Sequence, residues 1–434
     1  MDILFEKIDV LDPETGFIPD MYVAVRGSSI VSVSAGHPGG SFDRVITGSY
    51  MLMIPGLVNS HAHSAMTLMR GYGENLVLSK WLETRIFPFE AKLTGDDVYY
   101  GTLLAMAESF RYGVVSSTDM YAPLPDMARA YIDCGAKANI SNPFTSFDQD
   151  LSIRDIGSYR QNHETRDLLS SHTDGRVVID TGLHAEYTAT DKILRETAEY
   201  AKENNFRVHV HISETKKEHD EGVSRRGVTP ARWMYEGGLF DSPTTAAHCV
   251  WITEDDICLL AEKGVTIASN PVSNLKLASG VADVPAFRKA GINVSVGTDG
   301  AASNNSLNLL SDMKYYALVN KERRCDPTVI TPMETLYAAT RAGYLSQGRD
   351  DCGRIAEGYK ADLAIFDTSL PGWCPSYDPA RSLIYAADGG DVAMTLVDGR
   401  IVYERGSWPT IDIEKVKFEA RASVSRILGE LDRQ

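Results

Sequence analysis

The stretch Pro55-Gly56-Leu57-Val58-Asn59-Ser60-His61-Ala62-His63 decides the fold, because it is an apolar, β-prone run that ends in two histidines. In a strand, residues i and i+2 point to the same face, so both imidazoles converge on one point. A lone His-x-His is equally typical of two surface or core histidines. Its weight comes from four later segments, each of which brings a metal-compatible or acid/base residue to the end of another β-like run: His184, His211 with Glu214, His248, and Asp299.

A βα rhythm fills the middle of the chain. Short β-branched runs occur at 57–63, 113–119, 136–142, 177–184, 207–212, 244–249, 264–270 and 292–299. Most are separated by helix-like stretches, of which 191–203 is an example. Eight such runs predict an α/β fold with a (β/α)8 TIM barrel, whose active site lies at the C-terminal ends of the strands. The polar candidates fall at such ends, which a random scatter of histidines would not produce.

The two ends of the chain differ from the middle. Residues 1–54 contain short strand-like runs, in which apolar and polar residues alternate, separated by turns. The same pattern returns only near the C-terminus. There, two strand-like runs flank Asp398-Gly399, a strong signal for a type I′ hairpin. Neither end has enough strands for an independent sheet. We therefore predict a small β-sandwich domain built from both termini, residues 1–54 and 351–434 with a C-terminal helix from Asp412, beside a barrel of residues 55–350.

Composition excludes several classes of partner. The chain of 434 residues carries 43 basic and 59 acidic side chains, a net charge of −16, which argues against nucleic acid or an anionic membrane. Six cysteines without Cys-x-x-Cys spacing indicate reduced thiols of a cytosolic protein. The first residues lack the features of a signal peptide, and no apolar run approaches the ~18 residues of a membrane span. We expect a soluble, cytoplasmic protein that acts on a small molecule, with a homo-oligomer left open.

The strand-end residues offer nitrogen and oxygen ligands. Three imidazoles and one carboxylate suit zinc, or iron at similar geometry, whereas calcium prefers six or more oxygens. A bound metal lowers the pKa of water at a remaining position. Glu214 lies three residues after His211, beside such a metal, where it can carry a proton from the attacking water to the leaving group. His248 can polarise that water, with Asp299 helping to accept its proton.

Each of these residues also has a simpler explanation. Glu214 alone would fit a carboxylate at a helix start, and His248 alone would fit a buried, hydrogen-bonded histidine. The functional interpretation rests on all of them occurring together at strand ends.

Five blocks of sequence carry a family resemblance over nearly the whole chain. They are 55–63, His211-Ile212-Ser213-Glu214-Thr215, Ala247-His248-Cys249, 269–277 with Asn274-Leu275-Lys276-Leu277, and Gly297-Thr298-Asp299-Gly300-Ala301-Ala302-Ser303-Asn304-Asn305. The chain resembles the amidohydrolase superfamily and, within it, the methylthioadenosine/S-adenosylhomocysteine deaminases. The resemblance implies His61, His63, His211 and Asp299 as metal ligands, Glu214 as proton shuttle and His248 as water-polarising base.

The fourth strand bears on the number of metals. Binuclear enzymes of this barrel type bridge their metals with a carboxylated lysine that ends this strand. Here the run 177–184 ends in His184, and the next lysine is Lys192. We therefore expect one divalent metal per subunit, zinc before ferrous iron.

The resemblance also implies substrate contacts. Trp81 and Glu90 match a tryptophan and a glutamate that line the pocket, the glutamate taking both ribose hydroxyls, and His184 would contact the purine ring nitrogens. Glu90 ends the apolar run 86–90, where an unpaired carboxylate would be unfavourable. The alternatives are a surface salt bridge for Glu90 and a lid-packing aromatic for Trp81. His209 shares the face of His211 one pleat deeper, and we interpret it as a packed barrel histidine.

The 5′ end of the substrate is where this chain departs from its relatives. The resembling S-adenosylhomocysteine deaminases use two arginines to hold the amino-acid carboxylate. Counted without gaps from His61, these positions fall on Asn142 and Arg154. An asparagine supplies neither the charge nor the bidentate fork of a guanidinium. We therefore expect small apolar 5′ groups to match or exceed S-adenosylhomocysteine as substrate.

These patterns together favour a metal-dependent hydrolytic deaminase of adenosine-type nucleosides: 5′-methylthioadenosine, S-adenosylhomocysteine, adenosine and 5′-deoxyadenosine. The products would be ammonia and the inosine compound. The alternative is an amidohydrolase acting on another aminated or chlorinated N-heterocycle, of triazine, pterin, guanine or cytosine type. Glu90 discriminates between the two, because only a nucleoside offers a ribose diol. A non-catalytic binding protein would be expected to lack Glu214, His248 or Asp299, and all three are present.

Overall fold

The computed structural model describes residues 1–172 and 174–433. Within these residues the strands are β1 (Ile3–Asp12), β2 (Gly16–Arg26), β3 (Ser29–Ser34), β4 (Arg44–Thr47), β5 (Met51–Pro55), β6 (Leu57–His63), β7 (Val114–Met120), β8 (Lys137–Ser141), β9 (Pro143–Phe144), β10 (Val177–Ile179), β11 (Thr181–Leu183), β12 (Val208–Ile212), β13 (Thr244–His248), β14 (Thr266–Ser269), β15 (Val294–Val296), β16 (Asp299–Gly300), β17 (Leu363–Asp367), β18 (Val392–Val397) and β19 (Arg400–Glu404).

The α-helices alternate with the central strands. They are α1 (Leu78–Trp81), α2 (Phe87–Glu90), α3 (Gly95–Arg111), α4 (Leu124–Cys134), α5 (Gly157–Ser170), α6 (Asp191–Asn204), α7 (Lys216–Arg226), α8 (Pro230–Glu236), α9 (Glu254–Glu262), α10 (Pro271–Lys276), α11 (Val284–Lys289), α12 (Leu309–Arg324), α13 (Pro332–Ala339), α14 (Arg341–Ser346), α15 (Pro379–Tyr385) and α16 (Ile413–Leu431). No helix among the described residues is both long and apolar enough to cross a bilayer.

The central strands form the predicted barrel. One parallel sheet has the order β10-β8-β7-β6-β16, and a second has the order β15-β14-β13-β12-β11-β9. Three barrel strands are interrupted, so that each consists of two short pieces: β8 and β9, β10 and β11, and β15 and β16. The pieces pair with different neighbours: β8 pairs with β10, β9 with β11, β15 with β14, and β16 with β6. The divided strands therefore link the two sheets into one wall. The prediction of a (β/α)8 barrel is confirmed.

The terminal strands form one eight-stranded sheet, in the order β19-β18-β17-β5-β1-β2-β3 with β4 beside β1. Its apolar face buries alternate residues such as Ile3, Phe5 and Leu363. The hairpin between β18 and β19 turns at Asp398 and Gly399, whose φ angles of 46° and 71° are the left-handed values that a type I′ turn requires. The small β domain predicted from both termini is present.

The C-terminal helix follows the spacing seen in the sequence. Asp412 caps α16 by accepting a hydrogen bond from the backbone of Lys415. Val416, Ala420 and Ile427 are buried, and the helix packs against α3 of the barrel. The last segment of the chain thus ties the terminal region to the barrel wall.

A buried charge cluster joins the sheet to the start of the third barrel strand. Lys137, the first residue of β8, places its ammonium against Asp362 and 2.8 Å from Asp398 Oδ1. Burial by itself would raise the pKa of Asp362, but the Lys137 ammonium outweighs burial and holds that pKa below its usual range. Asp362 Oδ1 also accepts the backbone N–H of Asp398 at 2.8 Å. Each charge in the cluster therefore has an opposite partner.

Candidate functional site

A cavity of about 350 Å³ opens at the C-terminal ends of the barrel strands. That volume is within the range of small-molecule sites in proteins. Its lining combines the polar strand-end residues with apolar side chains of the segment after β6: His63, Met66, Leu78, Trp81, Leu82, Ile86, Phe87, Glu90, Leu93, Met120, Tyr121, Ala122, Asn142, Pro143, Thr145, Ser158, His184, Tyr187, His211, Glu214, His248, Leu277, Asp299 and Ser303.

Four ligand-type atoms converge on one side of this cavity. Asp299 Oδ1 lies 3.4 Å from His61 Nε2 and 3.3 Å from His63 Nε2, and His211 Nε2 lies 3.4 Å from His63 Nε2. Zinc with ligand distances of about 2.0–2.1 Å in a tetrahedron places its donors about 3.3–3.4 Å apart. The spacing and the chemistry of the donor set therefore fit a divalent cation.

The backbone orients two of the imidazoles. His63 Nδ1 donates to the carbonyl of Met120 at 2.6 Å, and His211 Nδ1 donates to the carbonyl of His184 at 2.7 Å. A carbonyl oxygen only accepts, so the proton is on Nδ1 and the lone pair of Nε2 faces the cluster. Ring orientation of this kind is the usual arrangement of histidines that bind metals.

His61 has a different partner. Its Nδ1 lies 2.8 Å from Nε2 of His209, which is fully buried. The alternation of β12 predicts His209 as a packed barrel histidine, but its contact with His61 was not predicted from the sequence. The signal was present in the alternation of β12, since His209 and His211 point to the same face.

Asp299 is held as a carboxylate. Its Oδ2 accepts hydrogen bonds from Ser273 at 2.6 Å and Ser303 at 3.0 Å, and its Oδ1 accepts the backbone N–H of Gly300. Burial would raise the pKa of Asp299, but the neighbouring imidazoles of His61 and His63 hold it well below the usual range. Oxygen Oδ1 is therefore available as a negatively charged ligand.

The backbone is strained at three strand ends that surround the cluster. Ser213, His248 and Asp299 have φ angles of 46°, 71° and 64°, which L-residues seldom adopt. Such conformations cost about 1–3 kcal/mol each and concentrate at functional sites. Of the three residues, His248 and Asp299 line the cavity.

Glu214 and His248 form an acid/base pair beside the cluster. His248 Nδ1 donates to Asn274 Oδ1 at 2.9 Å, so Nε2 keeps its lone pair, 3.9 Å from Glu214 Oε2. Ser279 donates to the other oxygen of Glu214 at 3.4 Å. Burial raises the pKa of Glu214 above its ordinary value. A carboxyl group with a raised pKa is suited to exchanging protons near neutral pH.

A second glutamate, which was not predicted from the sequence, supports this strand end. Glu218 in α7 accepts the backbone N–H groups of Ser213 at 2.9 Å and of Glu214 at 2.8 Å. Burial, with Glu214 nearby, raises the pKa of Glu218 to about 8. A carboxylate four residues after Glu214, at a helix start, was the only sequence signal for this role.

Trp81, Glu90 and His184, which the resemblance implies as substrate contacts, also line the cavity. Glu90 Oε1 accepts a hydrogen bond from the Tyr121 hydroxyl at 2.8 Å, and burial raises the pKa of Glu90. His184 Nδ1 lies 3.1 Å from the Thr188 hydroxyl. Trp81 and Glu90 lie in the segment after β6, whereas His184 follows β11.

The two positions counted for the 5′ end lie in different places. Asn142, between β8 and β9, lines the cavity and donates to Gln161 at 2.8 Å. Arg154 is exposed on a 3₁₀ turn (Ile153–Asp155) and is not among the lining residues. None of the described residues that line the cavity is a lysine or an arginine.

Comparisons with known proteins agree with this geometry. The chain is 37% identical over 422 residues, 97% of each chain, to a 5-methylthioadenosine/S-adenosylhomocysteine deaminase of Dictyoglomus thermophilum. It is 37% identical over 429 residues, covering 98% of this chain and 99% of the relative, to a 5′-deoxyadenosine deaminase of Methanothermobacter thermautotrophicus. An adenosine deaminase from Xanthomonas campestris with bound zinc superposes with a TM-score of 0.93, at 31% identity and over 99% of both chains.

The profile of one family covers most of the chain. It matches residues 52–402, from β5 to β19, and so includes the whole barrel with every strand end described above. With this match and the relatives above 30% identity over nearly the full length, the chain belongs to the amidohydrolase family.

Proposed function

We propose that this protein is a metal-dependent hydrolytic deaminase of adenosine-type nucleosides, which releases ammonia and the inosine product. One observation carries the proposal: a metal-type donor cluster and an acid/base pair occupy one side of a cavity whose lining also contains the buried carboxylate of Glu90. The deaminase names of the relatives support the same activity. The substrates proposed are 5′-methylthioadenosine, adenosine, 5′-deoxyadenosine and S-adenosylhomocysteine.

The proposed cofactor is one divalent metal per subunit, zinc before ferrous iron. His61, His63, His211 and Asp299 would hold it, and the zinc-bound structural neighbour supports this assignment. When bound, the metal supplies Lewis-acid activation of the water nucleophile. His184 follows β11, at the strand end where binuclear relatives carry a lysine, which supports a single metal.

The side chains of the acid/base pair move the protons. The free Nε2 of His248 accepts a hydrogen bond from the attacking water and orients its lone pair toward the purine carbon that bears the amino group. Glu214 takes one proton from that water at Oε2 and delivers it to the ring nitrogen. The second proton of the water passes through Asp299, beside His61 and His63, to the departing amine, which leaves as ammonia.

The remaining cavity residues would orient the nucleoside. Glu90 offers its second oxygen to the ribose hydroxyls while Tyr121 holds the first. His184 would contact the purine ring nitrogens, and Trp81, only 5% exposed, would form a wall of the site. Asn142 would lie near the 5′ end, and the role counted for Arg154 would require the turn at 153–155 to move toward the cavity.

A substrate screen tests the proposal. Purified, zinc-loaded protein is assayed for ammonia release from adenosine, 5′-methylthioadenosine, 5′-deoxyadenosine, S-adenosylhomocysteine, cytosine and guanine, with Glu214→Gln as the matched inactive control. We expect turnover of the nucleosides and little of the free bases. Turnover of guanine or cytosine above that of every nucleoside would replace this function with the alternative heterocycle hydrolase.

We also propose that the chain divides into a barrel of residues 55–350 and a composite β domain of residues 1–54 and 351–434. The adjacent ends of β5 and β6, at Pro55 and Leu57, support the first boundary. Limited proteolysis would test the division, with early cleavage expected in the connection at 347–362, which contains the second boundary, rather than between barrel strands.

A further inference from the structure

The partners of the three histidine ligands are of two chemical kinds. His63 and His211 each donate from Nδ1 to a backbone carbonyl, whereas His61 meets the imidazole of His209 at 2.8 Å. A carbonyl oxygen can only accept a hydrogen bond. A neutral imidazole nitrogen can donate or accept, depending on which nitrogen carries the proton. The proton position on His61 is therefore the only one of the three that a neighbouring side chain decides.

The His61–His209 hydrogen bond can run in either of two directions, and only one of them is compatible with metal binding by His61. For His61 to present a lone pair at Nε2, its proton must be on Nδ1, and Nε2 of His209 must accept that proton's hydrogen bond. In the reverse arrangement His209 donates, and His61 carries its proton on Nε2, which lies 3.4 Å from Asp299 Oδ1. A protonated Nε2 cannot bind a cation. His209 must therefore be the acceptor whenever His61 is a ligand.

This arrangement leaves His209 with an unsatisfied nitrogen. His209 is fully buried, and its Nδ1 has no hydrogen-bond partner among the described residues. A buried polar group without a partner carries a desolvation cost. An apolar side chain of similar size would fill the same space without that cost. Simple packing therefore does not account for a histidine at this position.

We propose that His209 is a positioning residue that holds His61 in its Nδ1–H tautomer and so sets the affinity of the metal site. It acts through His61, is not itself one of the four donors and does not line the cavity. The proposal rests on the metal site assigned above. Partners of this kind, one shell outside the ligands, typically change metal affinity by about 10–100-fold.

Two variants of similar size separate hydrogen bonding from packing. His209→Gln keeps an acceptor oxygen near the position of Nε2, and His209→Met removes it while filling the space. His163→Met, on α5 away from the donor cluster, is the control. The dissociation constant of the metal-free chain for Zn²⁺ is measured by competition with a chromophoric chelator, and the thermal midpoint of each metal-free variant reports folding.

We expect His209→Met to weaken Zn²⁺ binding by about 10–100-fold, and His209→Gln to stay within about threefold of wild type. The control should bind as wild type does. Equal affinity of His209→Met and wild type overturns the proposal, and so does equal weakening by Met and Gln, which would indicate a purely structural role. If the wild-type chain binds no zinc, both the proposed metal site and the proposed role of His209 are wrong. If the wild-type chain binds zinc and the variants bind it equally well, only the proposed role of His209 is wrong.

A measurement on the unaltered protein covers the case in which the variants fail to fold. Two-bond ¹H–¹⁵N correlation spectra of the zinc-loaded wild-type chain distinguish histidine tautomers directly. We expect His209 to carry its proton on Nδ1 and His61 to carry its proton on Nδ1 as well. A His209 ring protonated on Nε2 would overturn the proposal.

Discussion

Two buried polar clusters lie at opposite ends of the barrel strands and use the same kinds of residue differently. At the start of β8, the Lys137 ammonium lies between the carboxylates of Asp362 and Asp398. At the C-terminal ends, the carboxylate of Asp299 lies 3.3–3.4 Å from the imidazoles of His61 and His63. The first cluster contains a cation of its own, the Lys137 ammonium, whereas the second consists of carboxylate and imidazole groups that are of the kind that bind a metal cation.

This difference separates stability from function. A buried ion pair whose members satisfy each other contributes to folding mainly through the penalty for losing one partner. A cluster of converging electron pairs is unfavourable by itself and is retained because it binds something. In barrels of this type the N-terminal end of the strands serves stability and the C-terminal end serves catalysis. The two clusters make that division testable.

Removing the metal should have the largest effect. Chelation is expected to abolish ammonia release, and one equivalent of zinc or ferrous iron per chain should restore it, because four donors converge at one point. Elemental analysis together with activity measures the stoichiometry. Two metals per active chain would contradict the mononuclear site.

Glu214→Gln should lower kcat by about 10²–10⁴-fold, because an amide cannot carry the proton that the carboxylate carries. Metal content and the unfolding midpoint should remain those of wild type, since Glu214 is outside the donor cluster. Steady-state kinetics with metal analysis checks both. The control is Asp220→Asn, on the exposed side of the adjacent α7. Near-normal turnover of Glu214→Gln would show that Glu214 has no part in the mechanism.

Lys137→Met should show the opposite pattern. The change leaves Asp362 buried without its ammonium, which we expect to lower the free energy of unfolding by about 3–5 kcal/mol. The kcat of the folded fraction should be unchanged, because Lys137 does not line the cavity. Urea denaturation and activity at low temperature measure the two quantities. The control is Lys417→Met, in an exposed ion pair on α16, which should change the free energy of unfolding little. A loss of kcat in Lys137→Met would contradict the assignment of this cluster to stability alone.

Glu90→Ala should affect binding rather than chemistry. The loss of hydrogen bonds from a charged acceptor to the ribose is expected to raise KM for nucleosides by about 10–100-fold, with little effect on free adenine. Tyr121→Phe, which frees the other oxygen, should have a smaller effect in the same direction. Equal effects on adenine and adenosine would show that Glu90 does not meet the ribose.

The smallest expected effect concerns the 5′ substituent. The described lining contains no lysine or arginine, and Asn142 donates its amide hydrogen to Gln161. One missing charge-assisted contact is worth about 1.5–3 kcal/mol, so 5′-methylthioadenosine should match or exceed S-adenosylhomocysteine in kcat/KM. Competition kinetics with both substrates measures the ratio. A tenfold preference for S-adenosylhomocysteine would mean that Arg154 or another cation reaches the carboxylate.

Local periodicity explains why so much of the barrel was predictable. The run 57–63 coincides with β6, and 191–203 lies within α6, because alternation and helical spacing are written into neighbouring residues. The breaks within three strands were not predicted. Asn142, for example, lies between β8 and β9 because the chain leaves one neighbouring strand there and joins another, and no local pattern encodes that exchange.

The sequence by itself determined that two histidines, a third histidine and an aspartate occur at strand ends, because parallel strands in a barrel bring their carboxyl ends to one face. Only the tertiary structure decided the contacts that span different strands and loops. These include His209 against His61, Tyr121 against Glu90, and the exposed position of Arg154. Such contacts depend on how distant segments pack in three dimensions, whereas the periodicity of a strand depends only on its own residues.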